Sequence, residues 1–137
     1  MAVILVVDDE RDVREVIREV LQREGYEVRL AENGMEGLRM LDDAPADLLI
    51  TDIIMPGIDG VTTMQRAREK HPDMPVIVIT GGGNVAPMAY EPGAIKTSAF
   101  LASATKAGAN VTLTKPFGRK ELIDAVNRLL PDHEPAG

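Results

Sequence analysis

Side chains capable of chemistry stand directly after four apolar segments of this 137-residue chain. Asp8 and Asp9 follow one segment, Asp52 ends another, and Thr80 and Lys115 close the last two. Clustered carboxylates repel one another unless their pKa values rise or a cation neutralises them. Oxygen ligands without cysteine or a nearby histidine favour a hard ion, Mg²⁺ before Ca²⁺ or Mn²⁺. With a lysine and a hydroxyl, such a site could stabilise a transferring phosphoryl group, and a carboxylate could be the nucleophile.

The apolar segments predict five strands, over residues 3–7, 26–31, 48–52, 76–80 and 111–114. Three of them are continuous runs typical of strands buried on both faces, whereas the segment 26–31 alternates as an edge strand does. Apolar residues three and four apart lie between the strands, as in Val13, Val16, Ile17, Val20 and Leu21, and predict amphipathic helices. This alternation predicts a parallel sheet with helices on both faces. In such sheets ligands bind beyond the carboxyl ends of the strands, which is where the polar residues stand.

Composition restricts the class of protein. Hydrophobic residues make up 45% and charged residues 27%, a balance typical of a globular domain. No apolar stretch approaches about 18 residues and no signal peptide is visible, so we expect neither a membrane span nor export, and a cytoplasmic location. The net charge of −7 and the absence of Trp disfavour direct binding to nucleic acid.

Five pieces of the sequence, in order, resemble the receiver domain of two-component response regulators. They are Val7-Asp8-Asp9-Glu10, the stretch from Asp52 to Gly60, Val78-Ile79-Thr80-Gly81, Lys106-Ala107-Gly108-Ala109 and Leu113-Thr114-Lys115-Pro116-Phe117. Each piece alone is a weak signal, but the ordered set is specific and covers nearly the whole chain. The resemblance implies an α/β, flavodoxin-like (βα)5 doubly wound parallel sheet with strand order 2-1-3-4-5. We therefore expect a single receiver domain over residues 1–130 and a frayed tail over 131–137.

The resemblance also implies a phosphoryl acceptor and a metal site. Asp52 is similar to the family's phosphoacceptor, and the implied cofactor is Mg²⁺. Asp9 resembles the direct Mg²⁺ ligand of the acidic pair, with Asp8 acting mainly through water. Asp52 and the main-chain carbonyl of Ile54 would complete the protein's contribution to the metal site.

Two further residues have implied roles in switching. Thr80 resembles the switch hydroxyl that moves toward the phosphoryl group, and Lys115 resembles the lysine that contacts a phosphoryl oxygen. The bond from Lys115 to Pro116 is cis in the family. The implied donor is a phosphohistidine on a sensor histidine kinase or histidine phosphotransfer protein. The output would be contact with a protein partner not identified by the sequence, or a phosphorylation-dependent dimer; the only catalysis implied is self-phosphorylation and self-dephosphorylation.

Two positions depart from the family pattern. Thirty residues separate Thr80 from Val111, more than the roughly 22 that a helix with two loops requires. Glycines and prolines oppose a helix early in this connection, so we expect an enlarged connection with a helix beginning near residue 95 and ending at 106. Thr112 stands three residues before Lys115, where the family usually has an aromatic switch residue.

Other readings of these residues remain open. Asp8, Asp9 and Glu10 could be a solvated helix N-terminus, where acidic residues are favoured, and Arg14 is expected on a solvated helix face. The chain could be a degenerate receiver that binds proteins without phosphorylation, or a fragment of a longer regulator. A small-molecule phosphatase is disfavoured, because Ile54 stands where those enzymes place a general acid.

Overall fold

The computed structural model describes residues 2–80 and 108–131, where five strands alternate with four helices. The strands are β1 (Val3–Val7), β2 (Glu27–Ala31), β3 (Leu48–Asp52), β4 (Val76–Thr80) and β5 (Val111–Thr114). The helices are α1 (Arg11–Arg23), α2 (Gly34–Asp43), α3 (Gly60–Lys70) and α4 (Arg119–Leu129). The strand bounds agree with the sequence prediction to within one residue. The helix expected over 95–106 and residues 132–137 of the expected tail lie outside the described residues.

All five strands are parallel and lie in the order β2-β1-β3-β4-β5, which confirms the flavodoxin-like topology expected from the sequence. The register pairs Val7 with Thr51 and Asp52 with Ile79. It also pairs Thr80 with Thr114. The carboxyl ends of β1, β3, β4 and β5 therefore meet at one edge of the sheet.

Helices cover both faces of the sheet and enclose two apolar cores. Ile4 and Val6 of β1 pack in the core that includes side chains of α1 and α4, and Leu5 and Val7 pack in the core that includes side chains of α2 and α3. Each fully buried aliphatic side chain stabilises the fold by about 1.5–3 kcal/mol. Val16, expected on the apolar face of α1, is instead 57% exposed, because the buried stripe is centred on the i, i+4 pair Ile17 and Leu21. The helices in the described ranges have at most 13 residues, too few to span a bilayer.

The junction between β3 and α3 is unusually tight. Asp59 caps α3 by accepting a hydrogen bond from the Thr62 N–H at 2.7 Å. The Gly60 N–H donates to the Ile53 carbonyl at 2.7 Å. A Cβ on Gly60 would lie 2.1 Å from the Asp52 carbonyl oxygen, so only glycine lets the helix begin this close to the strand end. The first turn of α3 thereby fixes the backbone that carries Asp52.

Candidate functional site

Lys115 gathers three carboxylates at the carboxyl edge of the sheet. Its Nζ lies 3.2 Å from Asp8 Oδ2, 3.2 Å from Glu10 Oε1 and 3.3 Å from Asp52 Oδ2. Asp8 follows β1, Asp52 ends β3, and Lys115 follows β5, so the parallel topology brings residues far apart in sequence to one point. The Lys115 N–H donates to the Thr80 carbonyl at 2.8 Å, which holds the lysine backbone against β4.

The acidic side chains differ in solvent exposure: two are buried and form the floor of the site, and two are exposed and form its mouth. Asp8 is 0% exposed and Asp52 is 4% exposed, whereas Asp9 and Glu10 are exposed. Asp8 Oδ2 and Asp52 Oδ1 are buried and accept no hydrogen bond from the part of the chain that the structure describes. Within the described residues, Asp8 Oδ2 forms an ion pair with Lys115. Buried polar atoms are normally hydrogen-bonded, so two orphaned oxygens at one site indicate a place for a ligand.

The pKa shifts at the site indicate that Lys115 does not fully neutralise the buried carboxylates. Burial, followed by the neighbouring Asp8 carboxylate, raises the pKa of Asp52 to about 6, although Lys115 opposes this shift. Burial also raises the pKa of Asp8, against the hydrogen bond from the Glu10 backbone and the charge of Lys115. Burial lowers the pKa of Lys115, but Asp52, Asp8 and Glu10 together outweigh it, and the net pKa lies above its ordinary value. The single ammonium of Lys115 therefore does not compensate for the burial of the Asp8 and Asp52 carboxylates.

The acidic side chains are close enough to share a cation. Asp8, Asp9, Glu10 and Asp52 each offer one carboxylate oxygen, and these oxygens all lie within 4.8 Å of one another. An all-oxygen donor set with orphaned buried oxygens fits a hard divalent ion such as Mg²⁺. Ile54, the fourth residue expected at the metal site, follows directly in the loop after β3 and is 52% exposed.

Thr80 is close to this cluster but has a different partner. It is 3% exposed, and its hydroxyl donates a long hydrogen bond of 3.4 Å to Thr114 Oγ1 on β5. The peptide bond between Lys115 and Pro116 is cis, as the resemblance implied. The structure thus brings Asp8, Asp52 and Lys115 into contact, while the Thr80 hydroxyl is engaged with the neighbouring strand.

Two residues at the site were missed by the sequence reasoning. Glu10 contacts Lys115, although the sequence assigned it no part beyond the acidic run. Arg14, expected on a solvated helix face, donates from Nη1 to the Asp8 carbonyl oxygen at 2.7 Å. It also borders an open groove of about 610 Å³ that begins at Asp9. Long side chains that turn back from α1 leave no periodic signal, so only the fold reveals these contacts.

Comparison with known proteins decides the family. The sequence model of the response regulator receiver domain matches residues 4–127. The chain belongs to this family. The receiver domain is 35% identical over 132 residues to response regulator MprA of Mycobacterium avium, an alignment that spans 96% of this chain and 52% of MprA.

Two solved structures resemble the receiver domain. A response regulator receiver domain protein from Clostridium thermocellum has a TM-score of 0.77 and 32% identity, covering 96% of this chain and 96% of that one. NtrX of Brucella abortus, crystallised with ADP, has a TM-score of 0.80 and 34% identity, covering 96% of this chain and 28% of NtrX. The resemblance seen in the sequence and its fold are confirmed. The chain spans about half the length of the curated relatives that it matches.

Proposed function

We propose that this receiver domain is a signalling switch that accepts a phosphoryl group on Asp52 in a Mg²⁺-dependent reaction. The observation that carries the proposal is the Asp52 carboxylate: its buried Oδ1 accepts no hydrogen bond from the described residues, while its Oδ2 lies 3.3 Å from Lys115 Nζ. A nucleophile needs a free lone pair and a nearby positive charge that stabilises the developing anion. Asp52 has both.

Transfer from a phosphohistidine would exchange one bond at phosphorus for another. The Asp52 oxygen bonds to phosphorus while the P–N bond breaks, and the bonding pair stays with the imidazole nitrogen, which takes a proton from solvent. Lys115 neutralises part of the charge on the phosphoryl oxygens. The Thr80 hydroxyl leaves Thr114 and turns to the new phosphoryl group, a small loss because its present hydrogen bond is 3.4 Å long.

Mg²⁺ belongs to the same proposal. Asp9 would hold it directly, Asp8 would act mainly through water, and Asp52 with the Ile54 carbonyl would complete the protein ligands. When bound, the ion neutralises the acidic cluster and the charge on the transferring group. The buried Asp8 oxygen without a hydrogen bond from the described residues and the raised pKa of Asp52 support a cation site here.

The partners follow from the chemistry of transfer. We propose a sensor histidine kinase or a histidine phosphotransfer protein as donor, reaching Asp52 from the side of the groove beside Asp9. Because such donors are charged from ATP, we also propose a cytoplasmic location. We assign the receiver domain to residues 1–130, with output by protein contact or by a phosphorylation-dependent dimer. A phosphorylation-independent binding module remains the alternative, and the assembled Asp8, Asp52 and Lys115 give it no support.

Intact mass after incubation with acetyl phosphate tests the proposal. We expect one added phosphoryl group in the wild-type chain with Mg²⁺ and none after chelation with EDTA. Asp52→Asn should take up none, and the exposed control Asp73→Asn should behave as wild type. Addition to Asp52→Asn would place the acceptor elsewhere. No addition to any chain, together with no Mg²⁺ binding in a titration, would favour the degenerate receiver.

A further inference from the structure

Glu10 makes a contact that the proposed function does not require. It is the N-cap residue of α1, yet its side chain makes no capping hydrogen bond. Its backbone N–H donates to Asp8 Oδ1 at 2.8 Å, which fixes the residue at the mouth of the site. Its carboxylate instead lies against the Lys115 ammonium. The side chain is therefore directed to the lysine rather than to its own helix.

Three carboxylates surround the Lys115 ammonium, which donates hydrogen bonds to Glu10 and Asp52 and forms an ion pair with Asp8. A lysine ammonium has three N–H donors, and its neighbours are Asp8, Glu10 and Asp52 at 3.2–3.3 Å. These distances exceed the 2.7–2.9 Å or so of a strong charged hydrogen bond, as expected for an ammonium pulled in several directions. A phosphoryl oxygen that approaches the ammonium therefore competes with these carboxylates.

Glu10 is the partner that can be released with the least loss. Its side chain is 46% exposed, whereas the side chains of Asp8 and Asp52 are 0% and 5% exposed. A carboxylate at the mouth regains water when it leaves Lys115, but a buried one would lose the counter-charge that Lys115 provides.

We propose that Glu10 is a positioning residue that holds Lys115 in the resting site and competes with the phosphoryl group for its ammonium. This inference rests on the proposed acceptor role of Asp52. Glu10 sets the balance between the resting and the phosphorylated forms without touching the reacting atoms. Weakening its contact shifts that balance toward the phosphorylated form.

Two substitutions of Glu10 distinguish the effect of its contact with Lys115 from the effect of its negative charge. Glu10→Gln removes the charge, and Glu10→Asp keeps the charge but withdraws the carboxylate by one methylene group. Asp12→Asn is the matched control, since Asp12 is an exposed acidic residue in the first turn of the same helix. The probe is beryllium trifluoride, a stable mimic of the phosphoryl group, with affinity measured by ¹⁹F NMR at saturating Mg²⁺.

We expect both Glu10 variants to bind the mimic about two- to fivefold more tightly, the range that follows from a partly exposed ion pair. Asp12→Asn should leave the affinity unchanged. If Glu10→Asp binds as wild type does, charge alone acts and the positioning role is wrong. Weaker binding by Glu10→Gln at saturating Mg²⁺ would equally overturn it, because Glu10 would then help to hold the mimic.

The two proposals fail in different ways. If the wild-type chain takes up neither a phosphoryl group nor the mimic, the proposed function is wrong. If the wild-type chain binds the mimic and both Glu10 variants bind with the same affinity, only the positioning role of Glu10 is wrong.

Discussion

The amino and carboxyl edges of the sheet differ in how completely their polar groups are hydrogen-bonded. At the amino edge, Arg68 donates to the carbonyl oxygens of Met74 and Gly108 and to Asn110 Oδ1. Asn110 Oδ1 also accepts from the Val76 N–H at 2.9 Å. At the carboxyl edge, two buried carboxylate oxygens accept no hydrogen bond from the described residues. The same backbone thus supports a satisfied network at one edge and an unsatisfied one at the other.

This difference separates stability from chemistry. Charge-assisted hydrogen bonds at the amino edge join α3 to the segment before β5 and stabilise the folded state. At the carboxyl edge, burial without donors raises the free energy of the charged carboxylates and leaves them ready for a cation or an electrophile. Substitutions at the amino edge should therefore destabilise the fold, and neutral substitutions at the carboxyl edge should stabilise it.

Arg68 offers the largest test of the contrast. Arg68→Met keeps the apolar stem but removes all the donors, and leaves partly buried carbonyl oxygens unsatisfied. We expect a loss of about 2–4 kcal/mol in the free energy of unfolding, measured with urea. Arg66→Met is the control, because Arg66 is exposed and its one side-chain hydrogen bond within the described ranges goes to Met35 Sδ at 3.9 Å. A loss below about 1 kcal/mol for Arg68→Met would show that the amino-edge hydrogen bonds do not stabilise the fold as proposed.

Asp52 tests the other edge through pH. Its pKa is raised in the folded state from 3.8 to about 6, so the folded chain binds more protons than the unfolded chain between these values. The destabilisation by charged Asp52 is therefore absent below about pH 4, grows as the pH rises, and is complete above about pH 6. Without divalent cations, Asp52→Asn should be more stable than wild type by up to about 3 kcal/mol at pH 7, with little difference at pH 4.

Urea unfolding across this pH range measures the Asp52 effect. The exposed Asp73→Asn should follow the wild-type curve. A variant Asp52→Asn that is less stable than wild type at pH 7 would mean that the ion pair with Lys115 outweighs burial, and the carboxyl edge would then be as satisfied as the amino edge.

Tyr26 provides a further test of the amino edge, with the smallest expected change in unfolding free energy. This buried residue precedes β2 at the amino edge, and its hydroxyl donates to Asn127 Oδ1 of α4 at 2.7 Å. Tyr26→Phe removes the hydroxyl and keeps the ring, so we expect a loss of about 1 kcal/mol in unfolding free energy. Phosphoryl uptake should stay unchanged. A change in uptake as large as the change in stability would show that the two edges are not independent.

The sequence predicted the strands well because β1, β3 and β4 are buried on both faces and leave continuous apolar runs. It also predicted that Asp8, Asp52 and Lys115 would meet, since strand ends in a parallel sheet share an edge. Helix faces were harder to predict. Val16 and Met35 fit a helical spacing but are each 57% exposed, because a spacing of three and four leaves the centre of the buried stripe undefined.

Contacts made by long side chains could not be predicted from the sequence. The Arg68 network joins α3 to residues about 40 positions later in the chain, and Arg14 turns back to the carbonyl of Asp8. Such contacts depend on rotamers chosen after the elements have packed, and they leave no local pattern. The partnership of Glu10 with Lys115 is of the same kind, across 105 positions.

The glycine at the start of α3 has a mechanical consequence. With the Gly60 N–H bonded to Ile53 and no room for a Cβ against Asp52, the loop between β3 and α3 is a closed ring anchored at both ends. The backbone on this side of Asp52 is therefore constrained. If Asp52 accepts a phosphoryl group as proposed, we expect movement on the opposite side, where Thr80 is joined to β5 by a hydroxyl contact of 3.4 Å. Under the proposed function, the constrained side of Asp52 would set the direction in which the signal leaves the site.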